Sequence, residues 1–310
     1  MFSILLHGKT YRYNRRQLLL RKPISLLKEI FRKKMKYALV LSYGGMTGLS
    51  FLGGLSTVDL SHVTHFYGTS VGAILCCFLA CGITPLQIFF ELCQIESFLS
   101  MNLKNLFRED EALIPSGTLH HILCSAFHKH VQHIPTFADL AGKGKYLHVY
   151  TYCMTSQNIE EFSYKKSPNS SVFGPIVASA CVPVLFQPYV IDNKEYIDGA
   201  FANPFPVENA LEDFPPSEII AFYTTPWTGD EVSNKKLRQA LIVLNIGILT
   251  LMKKSIERIS SEMLAVNFYA VDIPGISDLT LEQKFTQFLN GLRKVKNHVD
   301  TMSKFSNPIK

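Results

Sequence analysis

The chain has 310 residues, 47% hydrophobic and 18% charged, with 18 Gly and 15 Pro. That suits one large α/β domain or two small ones and excludes general disorder and collagen-like or low-complexity classes. The formal charge of +6 is uneven: Met1 to Tyr37 holds 11 Lys+Arg against one acid, Glu29, and the remainder holds 20 against 24. A basic arm of net +10 therefore precedes a globule of net −4.

Residues 1–6 are apolar but too few for a secretory signal, and the arginines follow rather than precede them. From Ile24 to Met35 the apolar positions 24, 26, 27, 30, 31 and 35 fall close to helical spacing among Lys and Arg, so an amphipathic basic helix is expected there. We take residues 1–36 as this arm and 37–310 as one domain. Tyr37–Ser42 is wholly apolar but for its last residue and reads as a buried parallel strand. The glycine-rich stretch Gly44-Gly45-Met46-Thr47-Gly48 follows, and then a helix to Leu55. A second strand, His62–Tyr67, runs through Gly68-Thr69-Ser70-Val71-Gly72 into a helix over Ala73–Cys81 that stops at Gly82. Thr84-Pro85 opens another helix.

Residues 146–153 and 161–164 read as a strand pair, and 189–197 as a hairpin turning at Asp192-Asn193-Lys194. Strands are expected at Glu218–Thr225 and Leu264–Ile273, and helices at Leu237–Ile259 and Leu281–Val299. The longest apolar run, Ala240–Met252, reaches about 20 Å against a hydrocarbon core of about 30 Å, which favours a buried or interfacial helix. Seven cysteines without a CxxC pair read as buried free thiols of a reducing compartment.

Three places can carry chemistry. Gly68-Thr69-Ser70-Val71-Gly72 fits G-x-S-x-G, in which a sharp strand-to-helix turn lifts a serine Oγ clear of the sheet. Its bland alternative is a glycine-flanked N-cap serine. Asp198 ends an apolar strand just before Gly199, and the rigid Asn203-Pro204-Phe205-Pro206 follows. It is a general-base candidate, or simply an Asp-Gly turn. The amides of Gly44 and Gly45 can form an oxyanion hole. A nucleotide loop is disfavoured, because neither a Gly-Lys-Ser/Thr ending nor a full G-x-G-x-x-G with a well-placed acid is present. A Ser-Asp-His triad is also disfavoured: His298 is the only histidine in the C-terminal half, and Ser70 comes too soon after the first strand.

These motifs, in this order, resemble the patatin-like phospholipases: Ser42-Tyr43-Gly44-Gly45-Met46-Thr47-Gly48, then Gly68–Gly72, then Asp198-Gly199-Ala200. Ala178–Phe186 and Phe201–Pro206 resemble that family's helix-to-proline segment and asparagine-proline turn. The resemblance implies a three-layer α/β fold with a mainly parallel central sheet flanked by helices. It also implies a serine lipid acyl hydrolase that needs no metal or other cofactor. Ser70 would attack the ester carbonyl, Asp198 would take its proton, and the amides of Gly44, Gly45 and Met46 would hold the oxyanion. Gly68, Gly72 and Gly199 would support the motifs. The loop departs from the family pattern, with Tyr43 in place of the first glycine and Thr47 in place of the basic residue. A catalytically weak or inactive lipid-binding derivative is therefore the alternative.

The crowded His120, His121, Cys124, His128, His130 and His133 match no closed four-ligand pattern and read as the polar face of a surface helix. Arg108-Glu109-Asp110-Glu111 reads as a solvated turn. The basic arm suits an anionic membrane surface, nucleic acid, a targeting segment or plain packing on the globule. An acyl-lipid or phospholipid substrate favours the membrane over nucleic acid. The expected location is cytoplasmic with peripheral membrane association, and the sequence gives no oligomeric state.

Overall fold

The computed structural model describes residues 2–6, 9–13, 36–94, 114–183, 185–225, 235–269 and 279–306. The basic helix expected at 24–35 and the turn at 108–111 lie outside these residues. Internal contacts divide the chain between Lys36 and Tyr37. In the first unit β1 (Phe2–Leu6) and β2 (Lys9–Tyr13) pair antiparallel, from Phe2↔Tyr13 to Leu6↔Lys9. The sequence reading assigned no strand here, although Thr10-Tyr11-Arg12-Tyr13 has strand composition.

In the second unit the strands are β3 (Tyr37–Leu41), β4 (Val63–Thr69), β5 (Tyr146–Cys153), β6 (Asn158–Ser163), β7 (Tyr189–Ile191), β8 (Lys194–Asp198), β9 (Ile219–Thr224) and β10 (Leu264–Phe268). The helices are α1 (Gly48–Leu55), α2 (Val71–Ala80), α3 (Pro85–Gln94), α4 (Ser116–His128), α5 (Phe137–Gly142), α6 (Phe173–Ser179), α7 (Val207–Asp213), α8 (Lys235–Ile256) and α9 (Leu281–Ser306). β4 runs two residues further than expected, so the strand carries Gly68 and Thr69 up to Ser70. Among the described residues, the last expected strand ends at Phe268, while α9 continues past Val299 to Ser306.

Five strands are parallel, in the order β10-β9-β3-β4-β5. β3 is buried on both faces, and its alternation divides two cores. Leu39 and Leu41 join Phe51, Leu52, Leu75 and Phe89 beneath α1, α2 and α3, while Ala38 and Val40 join Tyr67, Ala210, Ile248 and Met252 beneath α7 and α8. The result is the expected three-layer α/β arrangement with a mainly parallel sheet. β6 and β8 run antiparallel to β5, and β7 pairs with β8 through Asp192 and Asn193, both with positive φ. The turn is thus two residues long, and Lys194 already belongs to the strand.

α3 is capped as its opening Thr-Pro suggests: Gln87 Oε1 accepts the N–H and hydroxyl of Thr84, and Thr84 Oγ1 accepts the Gln87 N–H. All seven cysteines are free thiols. Among the described residues no helix is long and apolar enough to cross a membrane.

α1 and α9 cross at backbone contact. A Cβ on Gly53 would collide with the Phe288 carbonyl, and one on Gly291 with the Ser50 carbonyl. Both obstacles are backbone, so neither can swing aside. Gly53→Ala and Gly291→Ala should each cost about 1–3 kcal/mol of stability. Thermal unfolding checks this, and an unchanged midpoint in both variants would refute the close crossing.

Candidate active site

The register along β5 sets the geometry. β6 pairs with residues 148–153 of β5 on one edge. β4 pairs with residues 146–150 on the other, ending at Thr69↔Tyr150. β8 takes residues 151–153 of that same edge from the opposite direction, ending at Thr151↔Asp198. The C-terminal ends of β4 and β8 therefore meet head-on beside β5. Ser70 leaves one strand where Asp198 ends the other.

Ser70 sits at φ 56° and ψ −126°, a region that costs a non-glycine residue about 1–3 kcal/mol. The flanking glycines make the turn possible by close approach. A Cβ on Gly72 would strike the Leu41 and Ser42 carbonyls, and one on Gly68 would strike the backbone of Gly72 and Ala73. After the turn, α2 starts at once: the Ser70 carbonyl accepts the N–H groups of Ala73 (2.9 Å) and Ile74 (3.2 Å). Ser70 is 7% exposed, and its hydroxyl donates to Asp198 Oδ2 at 2.6 Å.

Asp198 is 2% exposed. Its Oδ1 accepts the Ala200 N–H at 2.8 Å, and its own N–H donates to the Cys181 carbonyl at 2.9 Å. Gly199 has no room for a side chain, since a Cβ would meet the Tyr150 carbonyl. Burial raises the Asp198 carboxyl from its ordinary 3.8 to about 7, although the Ser70 hydroxyl and Ala200 amide pull it down. A carboxylate so raised, bonded to a hydroxyl at a helix start, can accept that hydroxyl's proton near neutral pH. Burial, and then the Asp198 charge, also raises the Tyr43 phenol and the Cys181 thiol.

The asparagine-proline turn ties the three motifs together. The Asn203 carbonyl accepts Thr69 Oγ1–H at 2.7 Å, and the Pro204 carbonyl accepts the Tyr43 N–H at 2.9 Å. Buried Ser42 anchors the glycine loop to β9, accepting the Thr224 N–H at 3.1 Å. The loop lies at the carboxyl end of β3, where open parallel sheets bind ligands. Thr47 N–H closes a turn onto the Gly44 carbonyl at 3.0 Å. Among the described residues, the N–H groups of Gly44, Gly45 and Met46 have no acceptor in the protein. Such amides can receive a developing oxyanion.

Ser179, within the segment Ala178–Phe186, joins the site although no motif marks it. Completely buried, it accepts the Ser70 N–H at 2.9 Å and donates to the Tyr150 carbonyl at 2.7 Å. It thus fastens the strained turn to β5 from behind. The only hint in the sequence was a hydroxyl in the otherwise apolar run Ile176–Cys181.

No histidine bonds to Ser70 or Asp198 among the described residues. The histidine cluster disperses: His120 Nδ1 bonds the Tyr189 hydroxyl at 2.7 Å, and His130 Nε2 bonds Glu91 at 3.0 Å. These two are tied to neighbouring elements, while His121, His128 and His133 are exposed as a polar surface face requires. No group of three or more His, Cys, Asp or Glu suited to a metal occurs among the described residues.

A family model described as patatin-like phospholipase matches residues 39–211, more than half of the chain. The chain belongs to the patatin-like phospholipase family. This patatin-like chain is also 32% identical over 192 residues to the probable lipid hydrolase 463L of Invertebrate iridescent virus 6. The match covers 59% of this chain and 66% of the viral protein, just under two thirds of its length. Among solved structures, VipD from Legionella pneumophila superposes with a TM-score of 0.53 at 18% identity, covering 86% of this chain and 67% of that one. That likeness is one of fold.

If Ser179 positions Ser70, Ser179→Ala should lower kcat on a dissolved ester about tenfold or more, at nearly constant KM. The apparent pKa of the pH–rate profile should stay in place, and Ser179→Thr, which keeps the hydroxyl, should recover part of the rate. Unchanged kcat in the alanine variant would remove the positioning role.

Proposed function

We propose that this patatin-like protein is a serine lipid acyl hydrolase. Ser70 Oγ attacks the ester carbonyl while Asp198 accepts its proton, and the amides of Gly44, Gly45 and Met46 receive the oxyanion. Collapse of the tetrahedral intermediate expels the alcohol, which takes the proton back from Asp198. Water, deprotonated by the same carboxylate, then frees the fatty acid and restores Ser70. The reading rests above all on the 2.6 Å bond between a serine in a strained turn and a buried carboxylate.

Acyl lipids, phospholipids among them, are the proposed substrate class. The arm of residues 1–36, with its net charge of +10, is proposed to approach anionic lipid from the cytoplasmic side. A second reading keeps lipid binding without turnover. It is favoured by one observation: the loop position where the resemblance expects a basic residue holds Thr47, which is fully buried.

Fluorophosphonate labelling and ester turnover decide between them. The parent should label and turn over a dissolved ester. Ser70→Ala should do neither, and Asp198→Asn should lose about 10³-fold or more in rate. A parent that neither labels nor hydrolyses any ester leaves the binding reading.

The pH dependence follows from Asp198. Only the ionised carboxylate accepts the proton, so kcat/KM should rise with pH and level off above about 7. The folded carboxyl titrates above its unfolded value of 3.8, so folding favours the protonated form, and stability should fall as pH rises from about 4 to about 7. Asp198→Asn removes this loss. Its melting temperature should exceed the parent's at pH 8 and converge with it near pH 4, and parallel melting curves across that range would refute the raised carboxyl.

A further inference from the structure

Helix α8 (Lys235–Ile256) has 22 residues, and none is acidic. Its sequence begins with Lys235, Lys236 and Arg238 and closes with Lys253 and Lys254 around an apolar middle. One side is already covered. Ile248, Met252 and Ser255 are buried, and the first two pack in the core that holds Ala200, with Phe201 against it. At 100° per residue the opposite stripe runs through Gln239, Val243, Ile246, Thr250, Lys253 and Lys254, all exposed. Val243 is 68% exposed and Ile246 57%. Glu257 follows only after the last turn, and Arg258 beyond it is paired with Glu208 at 3.1 Å.

Two largely exposed aliphatic side chains cost a water-facing helix solvation without contributing to its core. A bilayer surface accommodates them: the aliphatics enter the boundary between headgroups and acyl chains, and the lysines extend to lipid phosphates and carboxylates. The charge is complementary to anionic lipid, since every charged residue of the helix is basic and Lys253 and Lys254 close the stripe. A protein partner fits less well, because interface cores are depleted in lysine and favour aromatic and arginine anchors, which this stripe lacks. Nucleic acid would leave Val243 and Ile246 against phosphates.

We infer that the outer face of α8 seats this protein on an anionic bilayer, with Val243 and Ile246 inserted and Lys253 and Lys254 on the headgroups. The choice of partner rests on the acyl-hydrolase reading above. The geometry serves it, because the inner face of α8 lies against the Gly199–Phe201 turn that directly follows Asp198. Docking through α8 brings the serine–aspartate pair to the lipid, separately from any contribution of residues 1–36.

The test uses the full chain carrying Ser70→Ala, so that vesicles stay intact. Co-sedimentation is measured with phosphatidylcholine vesicles with and without about one-third phosphatidylserine. Binding should require the anionic lipid and weaken with salt. The pairs Val243→Asp/Ile246→Asp and Lys253→Glu/Lys254→Glu should each weaken it about tenfold or more at an unchanged melting temperature. With Ser70 restored, both pairs should turn over a dissolved short-chain ester like the parent but lose vesicle phospholipid turnover. Binding equal to the parent's in both pairs overturns the inference, as does binding lost only on deleting residues 1–36. A change of oligomeric state without a change in vesicle binding also overturns it, pointing instead to a second copy of the chain. Docking lost as expected in a protein that never cleaves the dissolved ester supports α8 and sinks the hydrolase reading; the converse result does the reverse.

Discussion

The structure depends on one backbone contact, the approach of Gly72 to the Leu41 and Ser42 carbonyls. It lets α2 begin immediately after β4, with no room for a longer and softer connection. Ser70 is then left in a conformation its side chain disfavours, and the surroundings must hold it there. The Thr69 hydroxyl on the Asn203 carbonyl, the Ser70 N–H on Ser179 and the Ser70 hydroxyl on Asp198 are those holds. Two segments distant in sequence, one at Ser179 and one spanning Asp198 to Asn203, fix one residue. The same crowding puts the glycine loop beside the serine, because that loop begins at the carbonyl Gly72 touches.

Burial has opposite effects at the two ends of the Ser70–Asp198 bond. For Asp198 it is unfavourable to charge, and the carboxyl titrates near neutrality as a result. For Ser70 it shields a hydroxyl whose proton, among the described residues, goes to Asp198. Stability and basicity at this site are therefore antagonistic: the burial that disfavours the ionised fold also raises the proton affinity that the proposed base role requires.

Much of this was legible in the sequence, and the illegible part has a physical reason. Ser70 and Asp198 could be found because each stands at a strand end within two residues of glycine, a local pattern with local causes. Strand β3 could be found because it is a continuous apolar run, and β4 because it leads directly into the glycine-flanked turn. The head-on meeting of β4 and β8 could not, because it is a matter of register along β5, and pairing partners leave no trace in either strand's own sequence. Ser179 was hidden for a related reason: its role comes from a backbone N–H 109 positions away. Gly53 and Gly291 looked like ordinary glycines in helices until the helices were brought together. β1 and β2 are hard to read because each is short and the two pair only with each other.

The head-on arrangement also bears on how the protein comes to be active. The strand that delivers Ser70 is held in a long parallel sheet, whereas the strand that delivers Asp198 pairs with β5 over only Thr151, Tyr152 and Cys153. The contact between them closes a 128-residue separation, and its entropic cost falls on the short hairpin rather than on the sheet. On the proposed serine–aspartate reading, local opening of that hairpin would break the pair before it disturbed the sheet. A chain whose β7–β8 hairpin has come undocked would keep the parallel sheet and its two cores and, on that reading, be latent.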